Sequence, residues 1–165
     1  MPAILRARLP LAAALVGSAL LAGSGHAQEA SLTVSATVVG QCTLTGATLD
    51  FGAYVAGQSS ARNGQSSIGI DCPAGLDVTL DLSPGGNPGP GGFRNMAGGE
   101  DFLRYQLYRN GARTQVWSSG GGGKRVNPTA GGAEVHGVFG QIQANQAVAT
   151  GDYADTVLIT LTING

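Results

Sequence analysis

The sequence alternates in twos. Across residues 153–163, Val157, Ile159, Leu161 and Ile163 fall on one side of a period-two pattern. Thr156, Thr160 and Thr162 fall on the other, with Leu158 the single exception. Successive strand side chains point to opposite faces, so this is the pattern of a β-strand with one face in a core. Residues 66–72 place Ile68, Ile70 and Cys72 on one face, and residues 76–82 set Val78, Leu80 and Leu82 against Asp77, Thr79 and Asp81. A shorter alternating run covers residues 30–39, and further strands are expected over 102–109, 112–117 and 134–142. No stretch outside the N-terminal apolar segment shows a convincing 3.6-residue period. Short strands between glycine-rich turns predict an all-β sandwich or barrel.

The connections are written in turn residues. Asn110-Gly111 predicts a two-residue type I′ hairpin, because that turn needs positive φ at both positions. Residues 83–99 and 118–132 read as long surface loops. Lys124-Arg125 reads as a solvated tip of the second. In residues 134–142, Gly137 and Gly140 mark a place of close backbone approach.

The first 27 residues have the anatomy of an export signal. Arg6 and Arg8 form a basic start, residues 9–22 are largely apolar, and Gly25-His26-Ala27 supplies small residues before a cleavage site. The apolar run is shorter than the roughly 20 residues a spanning helix needs. A mature chain of 138 residues then suits one domain. Without Arg6 and Arg8, seven basic residues face ten acidic ones, a net charge of −3, and no basic patch for nucleic acid survives. Cys42 and Cys72 are the two cysteines; an even count in an oxidising compartment predicts a structural disulfide.

Reactive chemistry is sparse. His136 stands two residues from Glu134, so the two share a strand face, but no serine sits in a G-x-S-x-G turn, and the pair reads as an exposed polar strand face. Asp152 and Asp155 are read as turn former and polar strand entry rather than as a calcium site, which needs six or more oxygens. Tyr105, Tyr108 and Trp117 are divided between core and hairpin surface rather than assembled as a sugar-stacking patch. Gly120 to Gly123 is followed by no G-K-[ST] and is not a phosphate loop. The expectation is a protein that is not an enzyme and uses no metal, cofactor or small-molecule substrate.

Several short runs, taken in order, resemble the spore coat U family, which includes the subunits of archaic chaperone–usher pili. They are Val38-Val39-Gly40-Gln41-Cys42-Thr43, Leu49-Asp50-Phe51-Gly52-Ala53-Tyr54, Ile68-Gly69-Ile70-Asp71-Cys72, Phe93-Arg94-Asn95-Met96, Tyr105-Gln106-Leu107-Tyr108-Arg109-Asn110-Gly111 and Val116-Trp117. Val138-Phe139-Gly140-Gln141-Ile142 and Gly151-Asp152-Tyr153-Ala154-Asp155-Thr156-Val157 complete the series. The chain departs from the family in its glycine-rich 118–132 loop and in ending Ile163-Asn164-Gly165.

The resemblance implies an immunoglobulin-like β-sandwich lacking its final strand and completed by strand donation. It implies a donor extension over residues 28–41, with Leu32, Val34, Ala36 and Val38 as the inserted face, ahead of a sandwich domain over 42–165. Val157, Ile159, Leu161 and Ile163 would flank the acceptor groove. The implied function is a structural subunit of an extracellular fibre, exported through the periplasm to the cell surface and serving adhesion or biofilm formation. Its implied partners are neighbouring subunits, a periplasmic chaperone and an outer-membrane usher. A secreted coat or matrix protein is the alternative, and a tip adhesin a further one.

Overall fold

A computed structural model describes residues 35–36, 40–128 and 131–164. The chain divides into two compact units, Met1–Thr37 and Val38–Gly165, and every described strand belongs to the second. That unit contains β1 (Thr43–Thr45), β2 (Arg62–Cys72), β3 (Asp77–Leu82), β4 (Arg94–Gly98), β5 (Asp101–Tyr108), β6 (Lys124–Val126), β7 (Gly132–Ile142) and β8 (Ile159–Asn164). A five-stranded sheet has the order β1-β2-β7-β5-β4, and a three-stranded sheet the order β6-β3-β8. All pairings are antiparallel.

The alternation in sequence becomes the core. Ile68, Ile70 and Cys72 of β2, Leu103, Tyr105 and Leu107 of β5, and Val138 and Ile142 of β7 are buried. Val78, Leu80 and Leu82 of β3 meet them from the opposite sheet at 0–2% exposure. Each such side chain contributes about 1.5–3 kcal/mol of transfer free energy. Trp117 fills the space between sheets, fully buried, and its indole N–H donates to Leu80 O at 2.8 Å.

Several local expectations are corrected. The terminal strand does not run unbroken from 153. Ala154 pairs with Ala97 at the edge of the large sheet, and only from Ile159 does the chain join the small one. Residues 83–99 are not all loop, because Arg94 and Met96 are buried and carry β4 into pairing with β5. Within 118–132, Lys124–Val126 forms β6 beside β3. Lys124 is half-buried, 5.7 Å from the Trp117 ring centre, whereas Arg125 pairs with Asp77 from a solvated position, so only Lys124 departs from the expected tip.

Asn110-Gly111 makes no two-residue turn. Arg113 N–H donates to Asn110 O, the Asn110 side-chain oxygen accepts from the Thr114 and Gln115 amides, and Arg113 takes the positive φ, 55°. The asparagine caps a longer loop, and Arg113 is held there by its donation to Gly140 O at 3.1 Å.

Gly140 is a place of close approach, but to a side chain. Gly64 and Gly140 are register partners, and the Phe51 ring lies over them. A Cβ on Gly140 would stand 2.6 Å from the Phe51 ring. Gly140→Val is therefore expected to destabilise the chain by about 1–3 kcal/mol, the usual cost of overpacking. A fall in the urea unfolding midpoint measures it, and an unchanged midpoint would contradict the packing.

Candidate functional site

The free edge of β8 is the feature that most needs explaining. Among the described residues, β8 pairs with β3 on one side and with nothing on the other. Ser83 N–H donates to Leu158 O at 2.9 Å, which fixes the phase of the ladder. By antiparallel alternation, Thr160 and Thr162 direct their backbone groups to β3, and Ile159, Leu161 and Ile163 direct theirs to the open side. Among the described residues, the inward-facing Ile159 and Leu161 are thus ones whose N–H and C=O groups lack a partner strand.

An apolar cleft of about 330 Å³ opens beside this edge. Its floor includes Phe51, Ile68, Leu107 and Val138; Val157 and Ile159 form one lip, and Ala47 and Thr48 the other. Leu44 and Leu158 face the outer mouth, 38% and 66% exposed. Leu158, the exception in the alternation, is therefore a rim residue. The lips belong to different sheets: residues 43–49 flank the large one and β8 closes the small one. A strand laid between them would extend the small sheet and cover the floor.

The other edges are blunted. β6 is three residues long, and Lys124 and Arg125 sit on it. β1 is equally short, and β4 is capped by the Ala97–Ala154 bridge. Among the described edges, only β8 offers six residues with no charge or proline. Proteins normally protect such an edge.

Of the residues expected at the groove, Val157 and Ile159 line the cleft, and Leu161 packs against the core. Ile163 is 40% exposed and lies at the end of the sandwich, outside the cleft lining. Ala36 of the expected donor face is exposed; Leu32, Val34 and Val38, and the export signal, lie outside the described residues. Cys42 and Cys72 are joined by a disulfide. The 30-residue loop it closes corresponds to about 3.6 kcal/mol in the chain-entropy treatment.

Near the cleft lies a polar scaffold that no periodicity marks, although its side chains fall within the runs that carry the family resemblance. Arg94 is 1% exposed. Its guanidinium donates to Ser83 O at 2.8 Å, Leu82 O at 3.2 Å, Trp117 O at 2.8 Å and Gln106 Oε1 at 2.6 Å. One cation thus ties the end of β3 to β4, β5 and the Trp117 segment. Burial lowers its pKa, opposed by Tyr105 and Asp155 nearby. Tyr105 donates its phenol to Asp155 Oδ2 at 2.6 Å; burial first and then this bond raise its pKa. An arginine inside an expected glycine–proline loop gives no periodic signal of burial.

The remaining candidates do not converge on a reactive centre. His136 Nε2 stands 3.6 Å from Glu134 Oε2. The imidazole is buried, which corrects the expected exposed polar face, and burial, then Lys124, lowers its pKa against the pull of Glu134. Among the described residues, no three His, Cys, Asp or Glu side chains could hold a metal ion. Tyr105, Tyr108 and Trp117 are all buried, which removes the hairpin-surface half of the expected division. Asp152 is exposed, whereas Asp155 faces inward.

Two antiparallel sheets packed face to face, one of them ending among the described residues on the open edge of β8, define an immunoglobulin-like β-sandwich. The sequence matches the Spore Coat Protein U domain over residues 28–160, and the chain belongs to that family. A solved chain from the CsuC–CsuE chaperone–tip adhesion subunit pre-assembly complex, of the archaic chaperone–usher Csu pili of Acinetobacter baumannii, shares the fold. It has a TM-score of 0.58 at 24% identity over 76% of this chain, which spans 40% of that one. No curated protein matches the sequence.

Arg94→Leu is expected to leave three carbonyls and the Gln106 oxygen without their buried donor, at a cost of about 3 kcal/mol or more. Arg94→Lys should be milder, because it keeps the charge and loses only the planar fork. Urea midpoints of the two variants check the order. An arginine that merely fills space would make the leucine variant the more stable of the two.

Proposed function

We propose that this chain is a structural subunit of an extracellular fibre of the chaperone–usher kind, joined to its neighbours by strand donation. The observation that carries the reading is the six-residue, uncharged free edge of β8 above an apolar cleft. The family and the fold shared with a pilus subunit complex support it. Residues 1–27 act as the export signal, and residues 28–41 of one subunit supply the strand that the next one lacks. Leu32, Val34, Ala36 and Val38 enter the cleft, while backbone hydrogen bonds form along Ile159, Leu161 and Ile163. A periplasmic chaperone covers the same edge before assembly, and an outer-membrane usher passes the subunit outward.

The chain direction gives the joint a polarity. Thr43 pairs with Asp71, next to Cys72, and Asn164 pairs with Asp77 just beyond the following turn. The start of β1 therefore lies at the end of the sandwich where β8 finishes. In a head-to-tail stack, the N-terminal segment enters the neighbour from the opposite end and runs antiparallel to that neighbour's β8. Donor and acceptor surfaces differ, so the contact is heterologous and propagates as an open filament. The same joint would serve a coat or matrix; electron microscopy of cells making the protein with and without its export partners separates fibre from coat.

Val34→Asp is expected to abolish fibres while leaving chaperone-bound subunit, since an unpaired charge buried in the joint costs several kcal/mol. Thr33→Asp lies on the opposite strand face and should assemble far better. Normal fibres from Val34→Asp would refute donation by this face. Loss of the chaperone-bound subunit as well would place residues 30–39 inside their own sandwich.

A synthetic peptide of residues 28–41 is expected to raise the thermal midpoint of the mature chain in a concentration-dependent way, as any ligand of the folded state does. The same peptide carrying Val34→Asp should raise it far less.

A further inference from the structure

Asp155 stands where an apolar residue would be expected. Tyr153, Asp155, Val157, Ile159 and Leu161 are the half-buried, inward-facing members of the terminal run, and the residues between them are exposed. A carboxylate on that side must be satisfied, and it is. Tyr105 O–H donates to Oδ2 at 2.6 Å, while the Gly86 and Thr156 amides donate to Oδ1 at 2.8 and 2.9 Å. Gly85 takes φ +83°, and a Cβ there would fall on this carboxylate, so the 83–86 loop is shaped around it.

The place of this tie matters. The chain leaves the large sheet at the Ala97–Ala154 bridge and joins the small one at Ile159. Between them it crosses the gap between sheets as one lip of the cleft. Leu158 is secured to Ser83 by two bonds: its amide donates to the Ser83 hydroxyl, and its carbonyl accepts from the Ser83 amide. Asp155 is the anchor of the rest, joining the lip to Tyr105 on the cleft floor and to the 83–86 loop.

We infer that Asp155 is a positioning residue of the cleft, holding residues 154–158 extended and at fixed distance from the floor so that an incoming strand pairs with a preformed lip. This role rests on the strand-donation reading. Without the tie, the lip must be ordered when the strand arrives, and that ordering is subtracted from the binding free energy. The head-to-tail polarity places the C-terminal part of the donor, near Val38, beside residues 154–158. The benefit is therefore local to that part of the joint.

The test uses the mature, disulfide-bonded chain and two fluorescent peptides, residues 28–41 and residues 28–36, the second titrated to higher concentration. Asp155→Ala should weaken binding of the long peptide about tenfold, the scale of lost hydrogen bonds to a charged acceptor. It should leave binding of the short peptide unchanged, and amide exchange should rise only in residues 83–86 and 154–158. Asp155→Asn, which can still accept from Gly86 and donate to the Tyr105 oxygen, should restore most of the affinity. If the alanine variant fails to fold, Tyr105→Phe carries the test and should weaken the long peptide alone. Equal weakening of both peptides, or an unaffected long peptide, overturns the positioning role and leaves strand donation standing. A native chain that binds neither peptide overturns strand donation, and the positioning role with it.

Discussion

A sheet edge is a row of backbone donors and acceptors, and among the described strands β8 presents the longest uncharged one. β8 has its inner side paired to β3 throughout, so its geometry is fixed. Its outer side carries the backbone groups of the same residues that face the core. An added strand would gain hydrogen bonds and apolar contact together, whereas water can satisfy only the first. The other three edges show the ordinary protections: shortness, charge and a capping bridge. The contrast within one molecule makes the open edge a feature of the fold and not a general laxity of its borders.

Keeping an apolar cleft open in water requires a rigid floor and lips, because an unsupported gap would close on itself. The floor is stiffened in two ways. Phe51 lies across the paired Gly64 and Gly140, so one ring is accommodated by the absence of two side chains. Arg94 gathers carbonyls from β3 and the Trp117 segment and the Gln106 side chain of β5, so the sheets cannot slide without breaking buried bonds to a cation. The Cys42–Cys72 bridge fastens the start of the other lip to β2, one residue before a β1 strand that is only three residues long.

These supports share a property: each joins residues far apart in sequence. Arg94 to Trp117, Asp155 to Tyr105 and Phe51 to Gly140 are contacts between different strands or loops. Each is polar or irregular at a place where local pattern predicts a turn or a surface. Local pattern therefore puts residues 83–99 and Asp155 outside the core, whereas Arg94 and Met96 are buried and Asp155 is half-buried. The loop after Asn110 departs from its local signal for a related reason. Its dipeptide favours a tight turn, but the contact of Arg113 with Gly140 O selects a wider one.

What the sequence by itself determined is what period and composition determine. It set the all-β class, the inward faces of β2 and β3, the disulfide, and the uncharged alternating run at the C-terminus, because a strand's two faces are written in every second residue. What only the tertiary structure decided is where that run changes sheets, which of its backbone groups point away from β3, and which residues line the cleft beside it. Those depend on register between distant strands and on a buried guanidinium and carboxylate finding partners across the sandwich. No local pattern encodes such partners, since the free energy that selects them exists only once the sheets have packed.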